Sequence, residues 1–382
     1  MTAVTTDVLV IGAGFYGLSS AWGMTRLRSG ARIMVVDEGE FASGASGRNG
    51  AGFRMQWGLD LNILLSKEST AFFENAAHLL DYPRGIELKQ DGYLVLAHSQ
   101  NALDRLNASI AIQHRYEVPS ELLDADACMK MVPSLGRNRL VGGTYCAKDG
   151  SASPFRLLDA LLIACRREGV DVRYGTRVER IEKRDGVFTA STKDGTIEAD
   201  RVLLCTDWAA PQLLEPLGIE LPVTSLPKEV IVTVPCTPRV KPILISLEHK
   251  MSVNQLARGS IIFVVSRARE GSTIESTPGF LGWAAPKVID LLPGVAEVAV
   301  LRTWGGVSSL TPDMQPILGE TPIEKLYVAV SSYRGFMTSP AVGRMMAALV
   351  VEGANDDPVL AQLSPSRFKT GKTIIEPLLN QE

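Results

Sequence analysis

Residues 7–20 read DVLVIGAGFYGLSS, and their reading decides the fold. An apolar run rich in Val and Ile gives way at once to Gly12, Gly14 and Gly17. This G-x-G-x-x-G spacing falls where a strand passes into a helix. Gly12 permits a tight turn. Gly14 lets backbone approach a pyrophosphate, with Phe15 beside it at the start of the helix. Gly17 lets that helix pack closely on the strand, and its N-terminus faces negative charge. A helical pattern continues through residue 29, and ARIMVVD at 31–37 is a second strand. That strand ends on Asp37, where an acid holds a ribose hydroxyl in dinucleotide sites; Glu38 is the neighbouring alternative.

So far NAD and FAD fit equally. Residues 43–53, SGASGRNGAGF, separate them. FAD threads onward from the pyrophosphate, so its ring system needs a second close approach of backbone. Ser43, Gly44, Ala45, Ser46 and Gly47 are small enough to allow it. Ser46 and backbone N–H groups add donors for phosphates and the ribityl chain, and Arg48, Asn49 and Gly50 complete the loop. An NAD enzyme needs no such loop straight after its second strand. The expected cofactor is therefore FAD.

The bulk numbers are ordinary for a soluble globular protein. A chain of 382 residues with 46% hydrophobic and 21% charged residues is long enough for two joined domains. A net charge of −3 without basic runs gives no reason to expect nucleic acid or a membrane surface. No apolar run reaches the roughly 18 residues of a spanning helix, and the first strand starts too early for a signal peptide. A cytoplasmic location is the default expectation. Cys128, Cys146, Cys165, Cys205 and Cys236 form no C-x-x-C pair, and the four histidines have no ligand spacing, so no metal site is expected.

Further along, residues 60–80 look helical and DGYLVLA at 91–97 is strand-like. SPFRLLDALLIACRREG at 153–169 is a helix with Ser153 as N-cap, Pro154 at its first position and Gly169 at its end. Residues 170–205 alternate like strands joined by Asp-Gly turns, followed by a helix in TDWAAPQLLEPLG. From 221 to 303 the pattern is mainly strands with one helix. KLYVAV at 325–330 is a strand. SPAVGRMMAALVVEG reads as a final helix with Ser339 as N-cap and Pro340 first, although YRGFMTSPAVG places a helix start near Thr338.

The motifs VIGAGFYG, SGASGRNGAGFR, DGYLVLA, VLRTWGGVSSLTPDMQPILG and GFMTSPAVG, taken in this order, resemble the FAD-dependent amino-acid and amine oxidoreductases related to D-amino-acid oxidase, glycine oxidase and sarcosine oxidase. Within that family the chain looks like the β subunits of dye-linked L-proline dehydrogenase and opine oxidase. The resemblance implies an α/β fold: a Rossmann-like FAD-binding domain interleaved with a substrate domain built on a mixed β-sheet. The implied division gives 1–80, 151–220 and 306–382 to the FAD side and 81–150 and 221–305 to the substrate side. It also implies that Val178 and Thr206 meet the adenine end, and that Gly335, Phe336, Met337 and Thr338 meet the flavin. There the helix N-terminus favours the charge that builds up on reduction.

The implied reaction removes a hydride from a carbon bearing nitrogen, on a small amino-acid or amine substrate. Sarcosine oxidases place a carboxylate-binding arginine where this chain has Arg54, and Arg334 reaches towards the same pocket. Tyr333 and Arg334 replace a Gly-His pair of the proline dehydrogenase β subunits, which points to a larger or more anionic substrate than proline. Met337 stands where sarcosine oxidases carry a carboxylate-binding lysine. No cysteine follows Cys236, so the sarcosine-type covalent flavin link is missing and the FAD is expected to be non-covalent. Likeness to β subunits implies a partner subunit carrying further redox centres. In the tail, Ile374-Ile375 and Leu378-Leu379 are expected to dock on that neighbour.

Overall fold

The architecture was obtained as a computed structural model, which describes residues 4–28, 30–267, 274–353 and 356–378. The strand Val4–Ile11 forms the centre of the first sheet. It pairs in parallel with Ile33–Val36 on one side and Gly195–Leu204 on the other. Asp171–Arg173 extends one end, and Leu326–Val330 and Ile317–Glu320 extend the other. Along these strands the side chains alternate between two buried faces. Val8, Val10 and Val35 meet one core, and Leu9, Ile11 and Val36 meet another. Burial on both faces explains why the strands read as unbroken apolar runs.

The helices Phe15–Leu27, Pro154–Arg167 and Gly335–Glu352 cover the first of these faces. The first and last of them approach closely because small residues meet: a Cβ on Gly343 would stand 2.5 Å from the Ser19 Cβ. The opening helix stops at Leu27, and Ser29 lies outside the described residues. Ser153 caps the middle helix by accepting the Arg156 N–H, with Pro154 at its start.

The last long helix starts at Gly335, so Pro340 lies inside it and Ser339 is not its N-cap. Pro340 has no N–H to offer the Phe336 carbonyl four residues back. The Ser339 hydroxyl donates to that carbonyl instead, at 3.1 Å. A serine next to a proline thus serves as an internal repair rather than as a start signal.

The second sheet has eight strands and is mixed, with Tyr93–Ala97 and Ile243–Ser246 paired in parallel and its other pairs antiparallel. One of its faces packs on Phe280–Leu291 and Ala125–Met131 through Leu94, Leu244, Val253 and Phe263. The opposite face roofs a cavity that opens towards the first sheet. No helix among the described residues is long and apolar enough to cross a membrane.

The tail departs from expectation. Glu376 is fully buried, and Leu378 packs with Val95, Ala97 and Leu106 of its own chain. Ile374 packs on the first core, while Ile375 is exposed. Leu379 lies outside the described residues. The tail therefore docks on its own chain through Leu378 and Ile374, because Glu376 finds buried donors in residues 58 and 62.

Candidate active site

The cavity between the two sheets measures about 610 Å³, within the usual size range for small-molecule sites. Both glycine-rich loops reach it. Gly14 and Phe15 line it from the first loop, and Ser46, Arg48, Asn49 and Gly50 from the second. The loops touch, since the Phe15 N–H donates to Ser46 Oγ at 3.1 Å and a Cβ on Gly14 would meet that oxygen at 2.8 Å. Gly12 has φ +109 and faces the Cys205 carbonyl, while Gly17 sits against the Gly12 carbonyl. Neither position has room for a side chain.

Asp37 accepts the Ala13 N–H at 2.8 Å and the Gly39 N–H at 2.8 Å. Its carboxylate thus braces the first glycine turn, and each oxygen keeps further acceptor capacity for a hydroxyl. Glu38 is exposed and approaches Arg177 at 3.6 Å. Ser43 is exposed, and its carbonyl accepts from Arg48 Nε. Val178 is buried in the core behind the first sheet. Thr206 Oγ1 is buried with no hydrogen-bond partner among the described residues.

On the far side, Gly335, Phe336 and Met337 line the cavity at the first turn of the last long helix. No side chain among the described residues caps that turn. Thr338 turns away and bonds Tyr16 Oη at 2.8 Å. Ser332 and Tyr333, just before the helix, have φ of +44 and +60. Two consecutive non-glycine residues in the left-handed region are strained unless their surroundings fix them.

Asp207 supplies that fixing, and sequence reasoning missed it. Its carboxylate accepts from the N–H and hydroxyl of Ser309 at 3.0 and 2.7 Å and from those of Ser331 at 3.0 and 2.8 Å. Ser309 Oγ in turn accepts the Ser332 N–H at 2.8 Å. One carboxylate thus ties the strand Val300–Leu310 to the strained turn. The acid beside Thr206 in TDWAA was the available signal.

The expected arginines differ sharply. Arg334 is 1% exposed, and its donors are engaged: Nη1 with Asn62 Oδ1 at 2.7 Å and Gln315 Oε1 at 3.1 Å, Nη2 with the Met314 carbonyl at 3.0 Å. Its Nε approaches Tyr333 Oη at 3.3 Å. Arg54 is also buried and lines the cavity, yet its guanidinium makes no hydrogen bond or ion pair with the described residues. It lies 3.9 Å over the Trp57 ring, with Arg334 at 4.4 Å from the same ring. Burial pushes Arg54 below its ordinary value, though an arginine stays charged.

The stretch that carries Arg54 is fastened by Asp149, a fully buried carboxylate that accepts the Met55 N–H at 2.7 Å and Gln56 Nε2 at 2.9 Å. Beneath it, Glu376 accepts the Gly58 N–H and Asn62 Nδ2, both at 2.7 Å. Asn62 therefore joins the tail to Arg334.

Burial pushes Asp149 up to about 7, against the pull of its bonds from Gln56 and Met55. The folded chain thus holds this proton more tightly than the unfolded chain does. Stability from this group is greatest below the ordinary value of 3.8. It falls as pH rises towards about 7 and is flat beyond, a loss on the order of a few kcal/mol. Melting curves of the wild type and Asp149→Asn, compared from pH 4 to pH 8, are expected to diverge as the wild type loses stability. Parallel curves would show that Asp149 does not titrate in this range.

The two loops, the orphaned Thr206 hydroxyl and the uncapped helix start fit a dinucleotide whose far end reaches the roofed cavity. Comparison with known proteins agrees. Residues 7–349 match the family model "FAD dependent oxidoreductase". The chain belongs to that family. Its cofactor is FAD.

Among curated relatives, the sarcosine oxidase β subunit of Rhodobacter capsulatus is 24% identical, over 97% of this chain and 90% of its own. An opine oxidase subunit of Agrobacterium tumefaciens is 26% identical, over 96% of this chain and 99% of its own. The fold matches L-proline dehydrogenase from P. horikoshii with a TM-score of 0.91, at 24% identity, covering 98% of this chain and 100% of that one. Amine and amino-acid oxidoreductases are thus prominent among the proteins this chain is similar to.

Proposed function

We propose that this FAD-dependent oxidoreductase converts the C–N bond of a secondary amino acid to an imine, which water then hydrolyses. The observation that carries this reading is Arg54: a buried, cavity-lining cation without a protein partner among the described residues. An unpaired buried charge is costly, and a substrate carboxylate relieves that cost with two parallel hydrogen bonds. The face of Trp57 sets the plane of the guanidinium, and Arg334 holds Trp57 from the other contact.

The residues expected to hold FAD are those of the two loops, with Asp37 at the ribose, Val178 and Thr206 at the adenine end, and Gly335 to Met337 at the ring. Bound there, FAD supplies the acceptor for two electrons. No histidine lines the cavity among the described residues, and its one lining carboxylate, Asp207, is engaged by Ser309 and Ser331. A cavity with Arg48, Arg54 and Lys228 in its lining disfavours an ammonium. The substrate amine accordingly sheds its proton to solvent and binds neutral, so no side-chain base is needed. Arg334 and Tyr333 act as positioning residues that support the Trp57 face and the strained turn.

We further propose that the FAD is held without a covalent link. Acid precipitation is expected to leave a yellow supernatant whose mass is that of FAD. A yellow pellet and a colourless supernatant would contradict this. The chain is also proposed to work as the β subunit of a larger dehydrogenase, in line with the relatives that are themselves subunits of oxidases and the lack of a cysteine cluster for an iron–sulfur relay in the sequence. Purification of the native complex, with mass and iron analysis, tests this. A native protein made of this chain alone, without iron and fully active with oxygen, would overturn the subunit role.

A further inference from the structure

We propose that Lys228 recognises a second acidic group on the substrate, so that this enzyme acts on secondary amino acids with two carboxylates, one for Arg54 and one for Lys228. This inference rests on the amine-oxidation reading above and narrows its substrate class. Lys228 sits on the strand Thr224–Thr233, in the roof of the cavity. Strand alternation turns Leu226, Lys228 and Val230 towards the cavity and Glu229 and Ile231 to the opposite face.

The contrast between adjacent residues is chemical as well as geometric. Glu229, facing away from the cavity, is buried and accepts from the Thr277 N–H at 2.6 Å and the Thr277 hydroxyl at 2.8 Å, with Arg267 at 3.5 Å. Lys228 makes no hydrogen bond or ion pair with the described residues. Its Nζ lies 5.3 Å from the Tyr333 ring centroid. Lys228 is half-buried, and desolvation lowers its affinity for a proton, so an anion beside it in the cavity is favoured.

The two cations occupy different walls. Arg54 follows the second glycine-rich loop, against Trp57, and Lys228 hangs from the roof beside Tyr333. Arg334 is in contact with both aromatic rings, at 4.4 and 5.4 Å, but Nη1 is committed to Asn62 and Gln315 and Nη2 already holds the Met314 carbonyl, so it has less to offer a ligand than Arg54. A monocarboxylate satisfies one wall only. A diacid built on a secondary amine, with the nitrogen between its two arms, satisfies both. Lys250, exposed at the cavity edge, adds further positive field for an anionic ligand.

The test uses unreactive thioether isosteres, in which sulfur replaces the amine and no C–N bond can be oxidised. FAD-loaded full-length protein is titrated with methylthioacetate and with carboxymethyl-thioether diacids whose second arm carries one to three methylenes. Perturbation of the flavin absorbance gives each Kd. Wild type is expected to bind the best diacid about 10- to 100-fold more tightly than methylthioacetate. Lys228→Met is expected to abolish that ratio, and Lys228→Arg to retain it. Arg54→Met is expected to weaken both ligand types. A ratio near one in wild type, or an unchanged ratio in Lys228→Met, overturns the proposal. So does a Lys228→Met variant that weakens both ligands equally while altering the resting flavin spectrum, since Lys228 would then serve the cofactor. Sarcosine and iminodiacetate, the matching amines, distinguish the two levels. If sarcosine bleaches the flavin and no diacid is preferred, only the role of Lys228 fails. If no amine bleaches it and no isostere binds, the amine-oxidation reading fails with it.

Discussion

Replacing Arg54 with alanine is expected to lower kcat/KM by roughly 30- to several thousand-fold, equivalent to about 2–5 kcal/mol, while FAD content stays near normal. Arg54 makes no hydrogen bond or ion pair with the described residues, so its removal breaks no direct contact, although the buried carboxylates of Asp149 and Glu376 lose its favourable charge. Stacking on Trp57 is lost, but Arg334 keeps its own contact with that ring. The effect should fall on substrates with a carboxylate and spare a simple amine. Steady-state kinetics with an amino acid and with its decarboxylated counterpart check both parts. Equal losses for the two substrates, or none, would return Arg54 to a structural role.

Replacing Gly17 with valine is expected to abolish FAD binding and cost about 4 kcal/mol or more of stability, the range for gross steric conflict in a core. A Cβ at position 17 would collide with the Gly12 carbonyl, and Gly12 is itself held between the Cys205 carbonyl and the turn. Both neighbours are backbone, so no rotamer change relieves the clash. Gly14→Ala is a milder companion: its Cβ would meet the Ser46 hydroxyl at 2.8 Å, a group that can rotate away. FAD-to-protein ratio and Tm should therefore fall steeply for the first variant and modestly for the second. Full FAD content in Gly17→Val would contradict the packing at this turn.

The parts of the fold legible in the sequence are those set by local chemistry. The glycine spacing at 12, 14 and 17 and the cap pair Ser153-Pro154 are short patterns that declare themselves within a few residues, and the acid at 37 stands at a fixed distance from the glycines it braces. The start of the last long helix is misread from sequence because Ser339-Pro340 has the composition of a cap. Only the carbonyl of Phe336, taken up by Ser339, reveals an internal proline. The tail is misread for a different reason: burial of Glu376 depends on Gly58 and Asn62, more than three hundred residues away. Asp207 and Lys228 escape notice because their roles depend on which neighbours are engaged. Arg54 and Arg334 look alike in sequence. Asn62, Gln315 and Met314 occupy one and leave the other open to the cavity.

The central claim, that a secondary amino acid is oxidised at the carbon bound to nitrogen, is tested most directly by anaerobic titration of the FAD-loaded protein. Sarcosine, proline, hydroxyprolines, iminodiacetate and opine-type diacids are added in turn with oxygen excluded, and the visible flavin band is followed. At least one of them is expected to bleach the band fully, with recovery of the matching keto or aldehyde product in a one-to-one ratio to FAD. A band that none of them changes, in protein whose FAD is still reduced by dithionite, would contradict the account.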